Sequence, residues 1–130
     1  MDQGYARAVI RRVAPILALG AVVALVWALP ALSHHAGYDT RITIQRVNDF
    51  TFKGQVHSDL GRCTRHRSLQ LWRPRHGDDE LVATDFESDE NGHWRYEFIG
   101  STRYYAVAVR EVLESPGHRH VCRRDRSPSI

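Results

Sequence analysis

In FTFKGQVH, residues 50–57, every second position is apolar or glycine, and this pattern admits extended chain far more readily than helix. Phe50, Phe52, Gly54 and Val56 alternate with Thr51, Lys53, Gln55 and His57. Successive side chains of a strand point to opposite faces, so the run predicts one buried and one wet face. Trp94, Tyr96 and Phe98 alternate with His93, Arg95 and Glu97 in the same way. Ile42 and Ile44 predict a short leading strand. Leu69 and Leu71 set one face of another, with Trp72 on the opposite face. Leu81 to Phe86 is apolar on both faces; so is Tyr104 to Val109, which suggests a central strand covered on two sides. Turn chemistry separates these runs at Arg75-His76-Gly77-Asp78, Asn91-Gly92, Gly100-Ser101 and Pro116-Gly117. Asn91-Gly92 is the strongest hairpin signal, because both residues tolerate positive φ. Six or seven short strands with regular turns predict an all-β, Greek-key-like sandwich. The tail from Arg123 to Ile130 is either a last edge strand or a frayed end.

The first quarter of the chain has a different character. Val13 to Leu32 is twenty residues without a charge, preceded by Arg7, Arg11 and Arg12. A basic start, an apolar core and small residues after it are the layout of a secretory signal helix. Ala31 and Ser33 are small, and Pro30 breaks the apolar run before them, so cleavage is expected after Ser33. Left uncleaved, twenty apolar residues just span a bilayer core of about 30 Å. The arginines then keep the N-terminus cytoplasmic. Both outcomes place one domain, residues 34–130, outside the membrane; contact with the lipid runs only through residues 13–32, and only if the leader stays attached.

Export changes how charge and cysteine are read. The chain carries 18 Lys+Arg and 15 Asp+Glu, formally +3. Residues 1–33 account for three of those arginines and one aspartate, so the exported part has fifteen against fourteen, or +1 before its histidines. Acidic runs at Asp78-Asp79-Glu80 and from Asp85 to Glu90 interrupt any basic face, and nucleic acid is excluded as a partner. Cys63 and Cys122 are the two cysteines, and an even count in an oxidising compartment predicts one disulfide. Neither follows the apolar run closely, which excludes a lipoprotein anchor.

Phe52-x-Gly54-x-Val56, Leu69-x-Leu71, Thr84-Asp85 with Asn91-Gly92-x-Trp94, and Tyr104-Tyr105-Ala106-x-Ala108 resemble the core of transthyretin-like (prealbumin-like) domains, the sandwich shared with the carboxypeptidase regulatory domain. The chain also resembles small exported actinobacterial proteins that carry this sandwich alone. Those have a cysteine after the second strand and a late cysteine before Asp-x-Ser, here Cys63, Cys122 and Asp125-Arg126-Ser127. The resemblance covers roughly residues 50–127. It implies the fold and a binding or stabilising role, and it brings no catalytic residues with it.

Two histidine groups offer metal-ligand chemistry. His118, His120 and Cys122 stand two apart, so on a strand they share a face, although a disulfide at Cys122 removes its thiolate. Cleavage after Ser33 makes His34 the new N-terminus, followed by His35. A free α-amine with the His34 imidazole chelates copper when a further histidine completes the set. The plainer reading makes the first group a solvated loop and the second a flexible leader. Asp78, Asp79, Asp85, Asp89 and Glu90 lack the spacing of a calcium loop and read as turn residues. There is no Gly-x-Ser-x-Gly elbow. Trp94 is expected in the core. Trp72 is the expected exposed aromatic and, with Arg73, the expected anchor for a protein or a cell-surface glycan.

The function expected from these observations is an exported, non-enzymatic β-sandwich module that binds a macromolecule or cell-surface component and needs no cofactor. The alternative is a copper- or zinc-binding sandwich using His34, His35, His118 and His120. A third reading is assembly, in which exposed strand edges pair between copies.

Overall fold

The computed structural model describes residues 34–100 and 102–130; the signal segment expected at residues 1–33, with its expected cleavage site, lies outside the described residues. The described chain is all-β, with a single 3-10 turn at Gly61–Cys63. It has eleven strands where the alternation predicts six or seven. The expected leading strand is broken into β2 (Thr40–Ile42) and β3 (Gln45–Asn48). Three further strands, β1 (His34–Tyr38), β9 (Glu111–Ser115) and β10 (His118–Cys122), form a sheet of their own, ordered β1-β10-β9. Their residues are mostly exposed or half-buried, so no apolar alternation announces them. Among the described residues no helix is long and apolar enough to cross a membrane.

The other strands form two sheets. In one, β4 (Thr51–Ser58) pairs with β2 and β3, and also with β7 (His93–Glu97). The break between β2 and β3 has a local cause. The Thr43 backbone N–H donates to the Gln55 carbonyl at 2.9 Å, but the Gln55 N–H returns its bond to the Thr43 hydroxyl, Oγ1, at 3.0 Å. The Thr43 carbonyl, released from the ladder, lies where a Cβ on Gly54 would stand, and the Trp94 indole lies 2.7 Å from the same point. Only glycine fits under both.

The second sheet runs β11 (Asp125–Arg126), β8 (Tyr105–Ala108), β5 (Ser68–Arg73), β6 (Glu80–Glu87). As its two apolar faces predict, β8 is central, and Tyr104 to Ala108 are all buried. The tail is an edge strand: beyond β11, Ile130 and Tyr104 exchange both backbone bonds at 2.9 Å. β6 is the opposite edge. Asp85, at φ 61°, marks a bulge where the β5–β6 register shifts.

The Asn91-Gly92 turn does not close a hairpin. β6 pairs with β5 and β7 with β4, so the turn carries the chain from one sheet to the other. Only Gly92 has positive φ, at 83°, whereas a two-residue hairpin of the Asn-Gly kind needs two such residues. Asp89 Oδ1 accepts from the N–H groups of Asn91 and His93, and the Gly92 carbonyl takes the Val56 N–H at 2.8 Å.

One core draws on both of these sheets: Ile42, Ile44, Phe52, Val56 and Trp94 from the first, and Leu69, Leu71, Ala83, Tyr104, Ala106 and Ala108 from the second. Trp94 is buried as expected. Truncating a residue as enclosed as Phe52 costs about 3–5 kcal/mol. The third sheet is tied on by the disulfide Cys63–Cys122 and by Arg67, which is fully buried. The Arg67 guanidinium donates to the carbonyls of Cys122 (3.1 Å) and Arg123 (2.9 Å). Burial holds its pKa below the usual arginine value, and Glu111 opposes that shift.

Candidate functional site

Phe50 is expected in the core and is not there. β4 begins at Thr51, and Phe50 stands on the preceding turn, where its N–H is held by the Asn48 side-chain oxygen at 2.8 Å. Phe50 is 55% exposed, and Ile99 across the corner is 81% exposed. The two are brought together because the Phe98 N–H donates to the Phe50 carbonyl at 2.8 Å. With Asp49, Arg73, Gly100 and Tyr104 they border an open depression of about 480 Å³. Arg46 stiffens its rim: Nη1 and Nη2 donate to the carbonyls of Gly100 and Thr102, and the guanidinium lies 5.0 Å over the Phe52 ring. Arg73 reaches the same place. It donates to the Tyr104 hydroxyl at 3.2 Å, lies 5.5 Å over that ring, and faces Glu80 at 3.3 Å. The Tyr104 hydroxyl holds the Arg73 pKa above its ordinary value.

Trp72 does not share this corner. Adjacent residues on a strand point to opposite faces, so the sequence pair Trp72–Arg73 is divided between the two sides of β5. Trp72 is half-buried, not the exposed anchor expected of it. Its indole N–H donates to Gln70 Oε1 at 3.0 Å, and its ring lies parallel to Tyr105, 6.5 Å away. The Arg126 guanidinium covers Tyr105 at 3.5 Å. The Tyr105 hydroxyl donates to Asp79 Oδ2 at 2.7 Å. That bond, with the Arg75 N–H and Arg126, holds the Asp79 carboxyl below its ordinary value. Burial first, and Asp79 second, push the Tyr105 hydroxyl up.

Comparison with family models, curated proteins and solved structures returned no match.

The histidines stand apart from the corner, on the third sheet. β1 and β10 pair in parallel, with His34 opposite His118 and Ala36 opposite His120. Three imidazoles thus meet on one face. Ring centroids are 6.4 Å apart for His34–His118, 6.4 Å for His34–His120 and 6.1 Å for His118–His120. Tyr38 lies 5.5 Å from His120. The loop and leader readings of these residues are overturned: both segments are strands. His35 pairs with Arg119 at the intervening position, which turns it to the other face. The His34 backbone N donates to the Gly117 carbonyl at 3.1 Å, so in this arrangement it belongs to the sheet edge and not to a chelate. Cys122 shares the histidine face but is bonded to Cys63. As the side chains stand, no three His, Cys, Asp or Glu among the described residues are grouped closely enough to hold a metal.

Asp79, Glu80 and Asp89 have local employment. Asp79 serves Tyr105, Arg75 and Arg126. Glu80 takes Arg75 and Arg73, the Arg75 bond doing most to lower its pKa. Asp89 caps the Gly92 turn; burial raises its pKa, but the His93 and Asn91 N–H groups outweigh that and the net shift is downward. The late Asp-x-Ser is structural too: Asp125 accepts the Ile42 N–H at 2.8 Å, and buried Ser127 accepts the Ala106 N–H at 2.9 Å.

Proposed function

We propose that residues 34–130 are an exported, transthyretin-like β-sandwich with a binding role and no catalytic one, and that its partner is a protein docking at the Phe50–Ile99 corner. The core shared by the two larger sheets supports the sandwich, and the buried disulfide supports an extracytoplasmic location. The observation that carries the binding role is the exposure of Ile99 (81%) and Phe50 (55%) on one depression beside Arg73. An exposed phenylalanine beside an arginine combines two residue types enriched at protein interfaces, and Ile99 adds apolar area next to them. A glycan platform has less support, because Trp72 is half-buried and its indole N–H is already bonded to Gln70.

The test is affinity capture of the exported protein's partners alongside the double variant Phe50→Asp/Ile99→Asp. Both sites are exposed, so stability should change by no more than about 0.5 kcal/mol for each substitution. A partner held by the wild type and lost from the variant supports the proposal. Partners retained equally by both, or hydrolytic turnover on model esters, peptides or glycosides, refute it.

A further inference from the structure

We propose that His34, His118 and His120 form a binding site for one divalent transition-metal ion that prefers imidazole, Zn²⁺ or Cu²⁺, on the outer sheet and away from the Phe50–Ile99 corner. Two of these histidines lie two apart on β10, and the third comes from the parallel neighbour β1 at a distance of more than eighty residues in sequence. The rings make a nearly equilateral triangle with sides of 6.1, 6.4 and 6.4 Å. With metal–nitrogen bonds of about 2.0–2.1 Å, three imidazoles around a tetrahedral ion place their centroids about 5.2 Å apart. Ligation therefore asks for a contraction of about 1 Å per pair and for a turn of the His118 and His120 rings out of their parallel stacking (5° between planes), both of which χ rotation of side chains supplies without moving the strands. His34 and His118 are exposed and free to make that movement.

The remaining features suit a nitrogen-ligated ion. The backbone under the cluster is held by five paired positions between β1 and β10, and by the disulfide at Cys122. His120 is the inner member, and its Nδ1 is buried without a hydrogen-bond partner. A buried ring nitrogen left unpaired is destabilising, and coordination is one way to satisfy it. Three histidines leave the fourth tetrahedral position open to water or an outside ligand. The all-nitrogen donor set selects Zn²⁺ or Cu²⁺ over Ca²⁺ and Mg²⁺, which take oxygen ligands. An ion here bridges β1 to β10, so it stabilises the outer sheet as it binds.

The test uses the disulfide-bonded exported protein, stripped with chelator and titrated with Zn²⁺ and Cu²⁺ by calorimetry and competition with a chromophoric chelator. The expected result is one ion per chain, with affinity falling at least tenfold in each of His34→Ala, His118→Ala and His120→Ala. His35→Ala should bind as the wild type does. Cu²⁺ spectra should show nitrogen ligation that simplifies in each of the three variants. An unchanged far-ultraviolet spectrum establishes that the variants are folded. Three results overturn the site: no stoichiometric binding, equal binding in His118→Ala and His120→Ala, or loss confined to His34→Ala. The last would mark chelation by the chain terminus instead of the cluster.

Discussion

Removing the disulfide should cost this fold about half of a typical small-domain stability, and the structure indicates where the damage appears. Cys63 and Cys122 are 59 residues apart, and both are fully buried. Closing a loop of that length lowers unfolded-state entropy by about 14 cal/mol/K in the chain-entropy relation, or about 4 kcal/mol at 25 °C. Small domains have total stabilities of about 5–15 kcal/mol. For a domain of this size, about 4–8 °C of Tm accompanies each kcal/mol, so Cys63→Ala/Cys122→Ala should melt roughly 16–32 °C lower. Cys122 ends β10, and the bridge joins the outer sheet to the 3-10 turn at Gly61–Cys63 in the body. Hydrogen exchange should therefore quicken first at β10 and β9, while β4 and β8 keep their protection until global unfolding. Calorimetry and urea titration measure the first effect, and exchange with mass spectrometry the second. A loss below about 1 kcal/mol, against the roughly 4 kcal/mol of the entropy relation, would refute the loop-closure reasoning. Uniform loss of protection would refute the role of the bridge as the outer sheet's tether.

Gly54→Ala should cost about 2–3 kcal/mol, read as a lower urea midpoint with altered Trp94 fluorescence, because the new methyl meets the Thr43 carbonyl and the indole; a change under about 0.5 kcal/mol contradicts the packing described. Arg67→Met should lose about 2–4 kcal/mol by leaving the Cys122 and Arg123 carbonyls without their donor, and Arg67→Lys should not restore it, since both bonds come from Nη2 at the far end of the guanidinium and the shorter lysine stem stops short of that position. Acid should weaken the fold through Asp79, Glu80 and Asp89. Their pKa values are lowered on folding, so their contribution is complete above the unfolded values of about 3.9–4.3 and is lost as pH falls through the folded ones. Tm measured from pH 6 to pH 2 should fall across that window, and Asp79→Asn should flatten the slope.

Local patterns in the sequence were sufficient for the strands that carry the core. Phe52 and Val56 on one run, Leu69 and Leu71 on another, and Trp94 on a third are buried as their alternation requires, and Tyr104 to Ala108 lie at the centre of a sheet. The reason is that strand periodicity and burial are both properties of a few consecutive residues. The Cys63–Cys122 bridge was legible for a different reason, since two cysteines allow only one pairing. Partner choice is not local. Asn91-Gly92 has the composition of a hairpin, yet β6 pairs with β5 and β7 with β4, in separate sheets. Phe50 lies outside because the turn held by Asn48 starts the strand one residue later than the apolar pattern does. His34 meets His118 and His120 only through a parallel register between distant, polar strands. No neighbour in the sequence encodes that contact; the tertiary structure alone decided it.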